Sequence, residues 1–221
     1  MSGFIIPELE GKDLFEELNN FQTLILIVQK YFFYFVQILP LLTDSNIEKL
    51  LVKFPSLNKT LYDYLKENDH DERIYQLLVK YLDVEIMILS IKDGNFSLLE
   101  TCFLNNVIPN KSTYKLLIEH NLFNNILESG FIKFDEVDFT SIIIDFIQED
   151  KESFAYYLIL NFHNISENIQ RNNQLIIEEA SSWGRLDIIG FYLSKPVIKF
   201  YFNLNKITNS KTLNYLRSSM V

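Results

Sequence analysis

A chain of 221 residues that is 48% apolar and 22% charged holds enough hydrophobic material for a large core, which excludes intrinsic disorder. Six glycines and five prolines are too few for a loop-rich β protein, and a net charge of −9 disfavours general binding to nucleic-acid phosphates. One cysteine, Cys102, leaves no disulfide within the chain and fits a reducing compartment.

In the first twenty residues Glu8, Glu10, Asp13, Glu16 and Glu17 face only Lys12. That sign is wrong for a secretory or transit leader, so no signal peptide and a cytoplasmic or otherwise intracellular location are expected. Residues 1–11 read as an extended lead-in that docks Phe4, Ile5 and Ile6. Asp13, with Glu16 three positions on, predicts a helix start.

The run FQTLILIVQKYFFYFVQILPLL, residues 21–42, is the most hydrophobic in the chain and long enough to suit a membrane span. Gln22, Gln29 with Lys30, and Gln37 fall on one stripe of a helix. A central lysine in lipid is expensive, so the stripe predicts a nearly buried helix with one wet edge. Leu24, Ile25, Val28, Phe32, Phe35 and Leu39 are its expected buried residues, and Pro40 should end or kink it. Insertion in, or adsorption to, a membrane is the alternative use of this stretch.

Asp44-Ser45-Asn46 is a capping cluster before IEKLLVKF, whose Ile47, Leu50, Leu51 and Phe54 share a face. Leu57 to Leu65 predicts a second helix, and Ile74, Leu77, Leu78 and Tyr81 a third. From Asp83 a repeating unit emerges. DVEIMILSI and FSLLETCFL flank a turn at Gly94; STYKLLIEH and LFNNILESG flank Asn121, with Gly130 as a C-cap. FTSIIIDFI and ESFAYYLIL flank Asp150, and QLIIEEASSW and LDIIGFYL flank Gly184. The four junctions step by 27, 29 and 34 residues. A last pair, Lys199 to Leu204 and Thr208 to Ser218, is expected to cap the end.

The run Ala180-Ser181-Ser182-Trp183-Gly184-Arg185-Leu186-Asp187-Ile188-Ile189 resembles the middle of an ankyrin repeat, which reads Ala-Ala-x-x-Gly-His-Leu-Glu-Ile-Val at this place. The resemblance covers roughly residues 83–195 and is clearest at Ala180–Leu193 and Ser90–Leu104. The usual Thr-Pro-Leu-His opening and Gly-Ala-Asp fingers are missing; Asn105 to Pro109 and Lys195 to Ile198 stand in for the fingers. The resemblance implies an all-α fold of stacked helical hairpins, a divergent ankyrin-like α-solenoid. It is expected to comprise a hydrophobic N-terminal helical region, 1–82, packing on repeats with a capping helix, 83–221.

Nothing in the sequence assembles a catalytic centre. His70, His120 and His163 stand apart, and no Cys-x-x-Cys, phosphate loop or nucleophile elbow occurs. Cys102, between Leu98 and Phe103 on an inner helix face, reads as an inert core thiol. Glu178-Glu179 and Glu16-Glu17 diverge by roughly 100° on a helix and read as solvated. No catalytic residue, cofactor, metal or small-molecule ligand is expected.

The expected function is therefore a non-catalytic protein–protein interaction module with a protein partner and no nucleic acid. The alternative is a membrane-associated protein that uses 21–42 and displays the repeats. Trp183 and Arg185 are the candidate partner-binding residues, and Gly94 and Gly184 the structural turn residues. From Arg185 to Val221 six basic residues face one acid, so this end is a basic cap.

Overall fold

A computed structural model describes residues 14–30, 32–68, 71–195 and 207–219. The described residues form helices joined by turns and short links, with no strand among them. The lead-in at 1–11, the Asp13 cap, His70 and the segment Lys199 to Leu204 lie outside them. The chain divides into two compact units, Met1–Ile108 and Pro109–Val221.

The first unit contains α1 (Leu14–Asn19), α2 (Phe21–Lys30), α3 (Phe32–Ile38), a 3-10 turn (Leu39–Leu41), α4 (Asp44–Lys53), α5 (Leu57–Glu67), α6 (Glu72–Lys80), α7 (Val84–Asp93) and α8 (Phe96–Leu104). The hydrophobic run 21–42 thus supplies α2, α3 and the turn through Pro40, and none of the described helices is long and apolar enough to cross a membrane. Its polar stripe lies outward: Gln22, Gln29, Lys30 and Gln37 are all exposed. Leu24, Ile25, Val28, Phe35 and Leu39 are buried, as the stripe requires; the Phe32 side chain is outside the description.

α2 packs against α1, α3 and α4. α5 packs against α6 and α7, and α7 against α8. Asn46 Nδ2 donates to Leu18 O at 3.3 Å, which ties α4 to α1. Asn58 Nδ2 donates to Tyr81 O at 2.8 Å and to Asp83 at 3.0 Å, which ties α5 to the entry of α7.

Side-chain N-caps explain where several of the helices begin. Asp71, Asp83, Asn95, Asn110, Asp138 and Ser166 each accept the backbone N–H three residues on. The cap of α4 is Thr43, which accepts from Asn46 N, so the predicted cluster Asp44-Ser45-Asn46 is already the first helical turn. A threonine hydroxyl satisfies the same orphan donor as an aspartate, so the sequence alone left the cap one residue out of register.

The second unit contains α9 (Lys111–Glu119), α10 (Phe123–Glu128), a 3-10 turn (Phe134–Glu136), α11 (Phe139–Gln148), α12 (Glu152–Phe162), α13 (Glu167–Arg171), α14 (Asn173–Trp183), α15 (Leu186–Leu193) and α16 (Ser210–Ser219). α11 is its hub and packs against α9, α12, α13 and α14, while α15 packs against α14 and α12. Phe123, Phe139 and Phe162 meet ring to ring with centroids 5.3–5.9 Å apart.

Four hairpins share one turn. Gly94, Asn121, Asp150 and Gly184 take φ of 68°, 58°, 62° and 72°. The next residue's N–H reaches back five positions each time: Asn95 to Ser90 O, Leu122 to Leu117 O, Lys151 to Phe146 O and Arg185 to Ala180 O, at 2.7–2.9 Å. This left-handed closure satisfies the last carbonyls of the first helix and reverses the chain into the second. Gly130 follows the end of α10 with φ 77°. α16 closes the last hairpin: Thr212 Oγ1 donates to Ser181 O at 2.9 Å, and Leu216 is fully buried.

Candidate interaction surface

The richest arrangement of polar side chains lies on the second unit, where α9, α11 and α14 lie in succession. Lys111 Nζ meets Asp145 Oδ1 at 2.6 Å, joining α9 to α11. One turn on, Lys115 bridges Asp145 at 3.5 Å and also pairs closely with Glu149. Lys151 then spans Glu149 at 3.2 Å and Glu119 at 2.6 Å. The Lys115 ammonium, aided by Lys151, holds the Glu149 carboxyl below the usual carboxylate range, while partial desolvation opposes them. Exposed ion pairs add little stability one by one, so the ladder chiefly fixes the positions of its members.

The ladder continues onto α14 through neutral donors. Gln148 Nε2 donates to Glu179 Oε1 at 2.8 Å, and Trp183 Nε1 donates to the same oxygen at 2.8 Å. Trp183, the sole tryptophan, is 48% exposed with its indole anchored at the N–H. An exposed aromatic of fixed orientation suits a binding anchor, because little side-chain entropy remains to be lost.

Arg185, the other candidate, turns inward. Its Nε and Nη2 donate to Ile147 O at 3.2 and 2.8 Å, and its Nη1 pairs with Asp150 at 2.5 Å. The guanidinium therefore occupies an end carbonyl of α11 and positions the surface rather than forming it. Gly94 and Gly184 stand at their turns as described. Glu179, read from sequence only as a solvated acid, belongs with Trp183, while Glu178 stays exposed and accepts from Gln174. The four-residue spacing of Glu179 and Trp183 on one helix carried that signal.

Elsewhere the chemistry is sparse. Cys102 is fully buried, and burial pushes its thiol up to about 12. His163 is buried at a turn with Asn173 Oδ1 3.1 Å from Nε2, while His120 is exposed. A cavity of about 300 Å³ in the first unit is lined by Tyr62, Tyr75, Asp71 and Lys66 among others. Among the described residues, no three His, Cys, Asp or Glu side chains are grouped to hold a metal ion.

The chain matches no protein-family model, no curated protein and no solved structure.

Proposed function

We propose that this chain is a non-catalytic protein-interaction module built from divergent ankyrin-like hairpins, with the α14 face around Trp183 as its contact surface. The observation that carries the reading is Trp183 itself: a half-exposed indole locked to Glu179 at the end of a ladder that crosses three helices. The common left-handed turn at Gly94, Asn121, Asp150 and Gly184 supports the repeat reading. Hairpins that cannot bury their apolar faces alone stack, and the outward faces of their first helices become a shallow binding surface.

Site-specific cross-linking tests it. A photoreactive residue at position 183, in extract of the source cells, is expected to give a discrete adduct with a protein. The same residue at Lys133, whose side chain is 79% exposed in the same unit, should give none. Equal, diffuse labelling from both positions would remove the contact surface from α14.

A further inference from the structure

We infer that the α14 face between Leu175 and Trp183 docks a segment of a partner protein that carries a lysine or arginine between two apolar side chains. The inference rests on the interaction reading above and supplies the chemistry of the partner.

The α14 face carries negative charge that the ladder leaves unneutralised. Along the ladder Glu119, Asp145, Glu149 and Asp150 each have a lysine or arginine within ion-pair distance. α14, whose sequence NQLIIEEASSW contains no basic residue, breaks that pattern. Glu178 Oε1 accepts from Gln174 Nε2 at 2.7 Å. Glu179 Oε1 accepts from Gln148 and Trp183. These donors are neutral, so they orient the two carboxylates without cancelling their charge. Among the described residues no Lys or Arg forms an ion pair with either.

The flanks are apolar. Leu175 and Trp183 are 47% and 48% exposed. Eight positions apart, they lie about 12 Å along the helix axis. At about 100° per residue, Glu179 lies between them around the helix and Glu178 flanks Leu175 on its other side, so the stripe reads apolar, negative, aromatic with a second carboxylate beside it. A segment with the complementary order buries both apolar ends and brings a cation onto the carboxylates and the indole face. The same charge repels nucleic-acid phosphates and anionic lipid headgroups.

A random-peptide display library, selected on the full chain, tests the inference. Peptides bound by the wild type are then read against E178Q/E179Q and against W183A, each first checked by circular dichroism and melting. Selected peptides are expected to be enriched in Lys or Arg flanked by Leu, Phe or Trp. Their binding should shift Trp183 emission and weaken with added salt. It should also weaken about tenfold or more in E178Q/E179Q, equivalent to ~1.4 kcal/mol or more.

Peptides without basic enrichment, or affinities unchanged in E178Q/E179Q, overturn the basic-partner inference; loss in W183A alone would still leave the contact surface standing. No dependence on either variant overturns both readings. Self-association of the protein alone, abolished in E178Q/E179Q, also overturns the inference, because the occupant is then a second copy presenting its own basic residues.

Discussion

The side chain of Asn209 lies where a Cβ on Gly184 would have to go: its Nδ2 is 2.6 Å from that point. Asn209 is also the residue that caps α16, accepting the N–H groups of Lys211 and Thr212. Gly184 thus combines a left-handed backbone with a close approach, while Gly94, at φ 68°, has open space where its Cβ would stand.

The two glycines separate these costs. Gly94→Ala should destabilise by about 1–2 kcal/mol, the cost of a left-handed L-residue. Gly184→Ala should cost more, because the methyl group also displaces Asn209. Glycine serves adequately as an N-cap, so Asn209→Gly in the Gly184→Ala background should recover much of the excess. Chemical denaturation of the wild type, Gly184→Ala, Asn209→Gly and the double variant gives the coupling; equal losses in Gly94→Ala and Gly184→Ala would mean that the Asn209 contact yields at no cost.

Two neighbours on α2 test the wet stripe. Ile27 is fully buried and Gln29 is exposed. Ile27→Ala should cost about 2–5 kcal/mol through lost burial and a cavity. Gln29→Ala should stay within about 0.5 kcal/mol. Comparable losses in urea titrations would place α2 in a different rotation about its axis.

The stripe was legible because one helix face repeats at a fixed interval, and the hairpin junctions because Gly, Asn and Asp are the residues that tolerate the left-handed region. What escaped the sequence depended on distance or brevity. Arg185 finds Ile147 O across 38 positions, a pairing no local pattern encodes. α13, with five residues, is too short for a periodic signal. Glu178 and Glu179 were visible as acids, but that they have no cationic partner among the described residues is defined only once Lys115 and Lys151 are seen pairing elsewhere.

Cys102 predicts an alkaline loss of stability. Burial, helped by the charge of Asp83, lifts its thiol from 9.0 to about 12. Between those values the unfolded chain has lost a proton that the folded chain retains, so stability falls as pH rises from about 9 towards 12. Cys102→Ala lacks this term. Its melting temperature should lie below that of the wild type at pH 7, and the gap should narrow across the alkaline window. Thiol reagents should label the native protein slowly at neutral pH, because buried thiol offers little thiolate. A constant gap together with rapid labelling would mean that Cys102 is open to solvent.

Glu152 predicts the opposite of the usual carboxylate behaviour. It opens α12, with one carboxylate oxygen buried and without a hydrogen-bond partner. Burial raises its pKa, and the Asp187 charge raises it further, against a backbone N–H from Asp187 and the charge of Arg185. The folded chain therefore holds this proton more tightly than the unfolded chain. Below the ordinary value of 4.5 both states are protonated and nothing is lost. As pH rises through that value the unfolded state ionises first, so this residue removes stability across the window up to its raised folded value. Glu152→Gln keeps an acceptor for the backbone N–H and abolishes the ionisation. The variant should melt above the wild type at pH 7, and the difference should shrink as the pH is lowered past 4.5. Loss of stability at pH 7 would instead show that the ionised carboxylate at the start of α12 is favoured by the helix dipole more than burial and Asp187 oppose it.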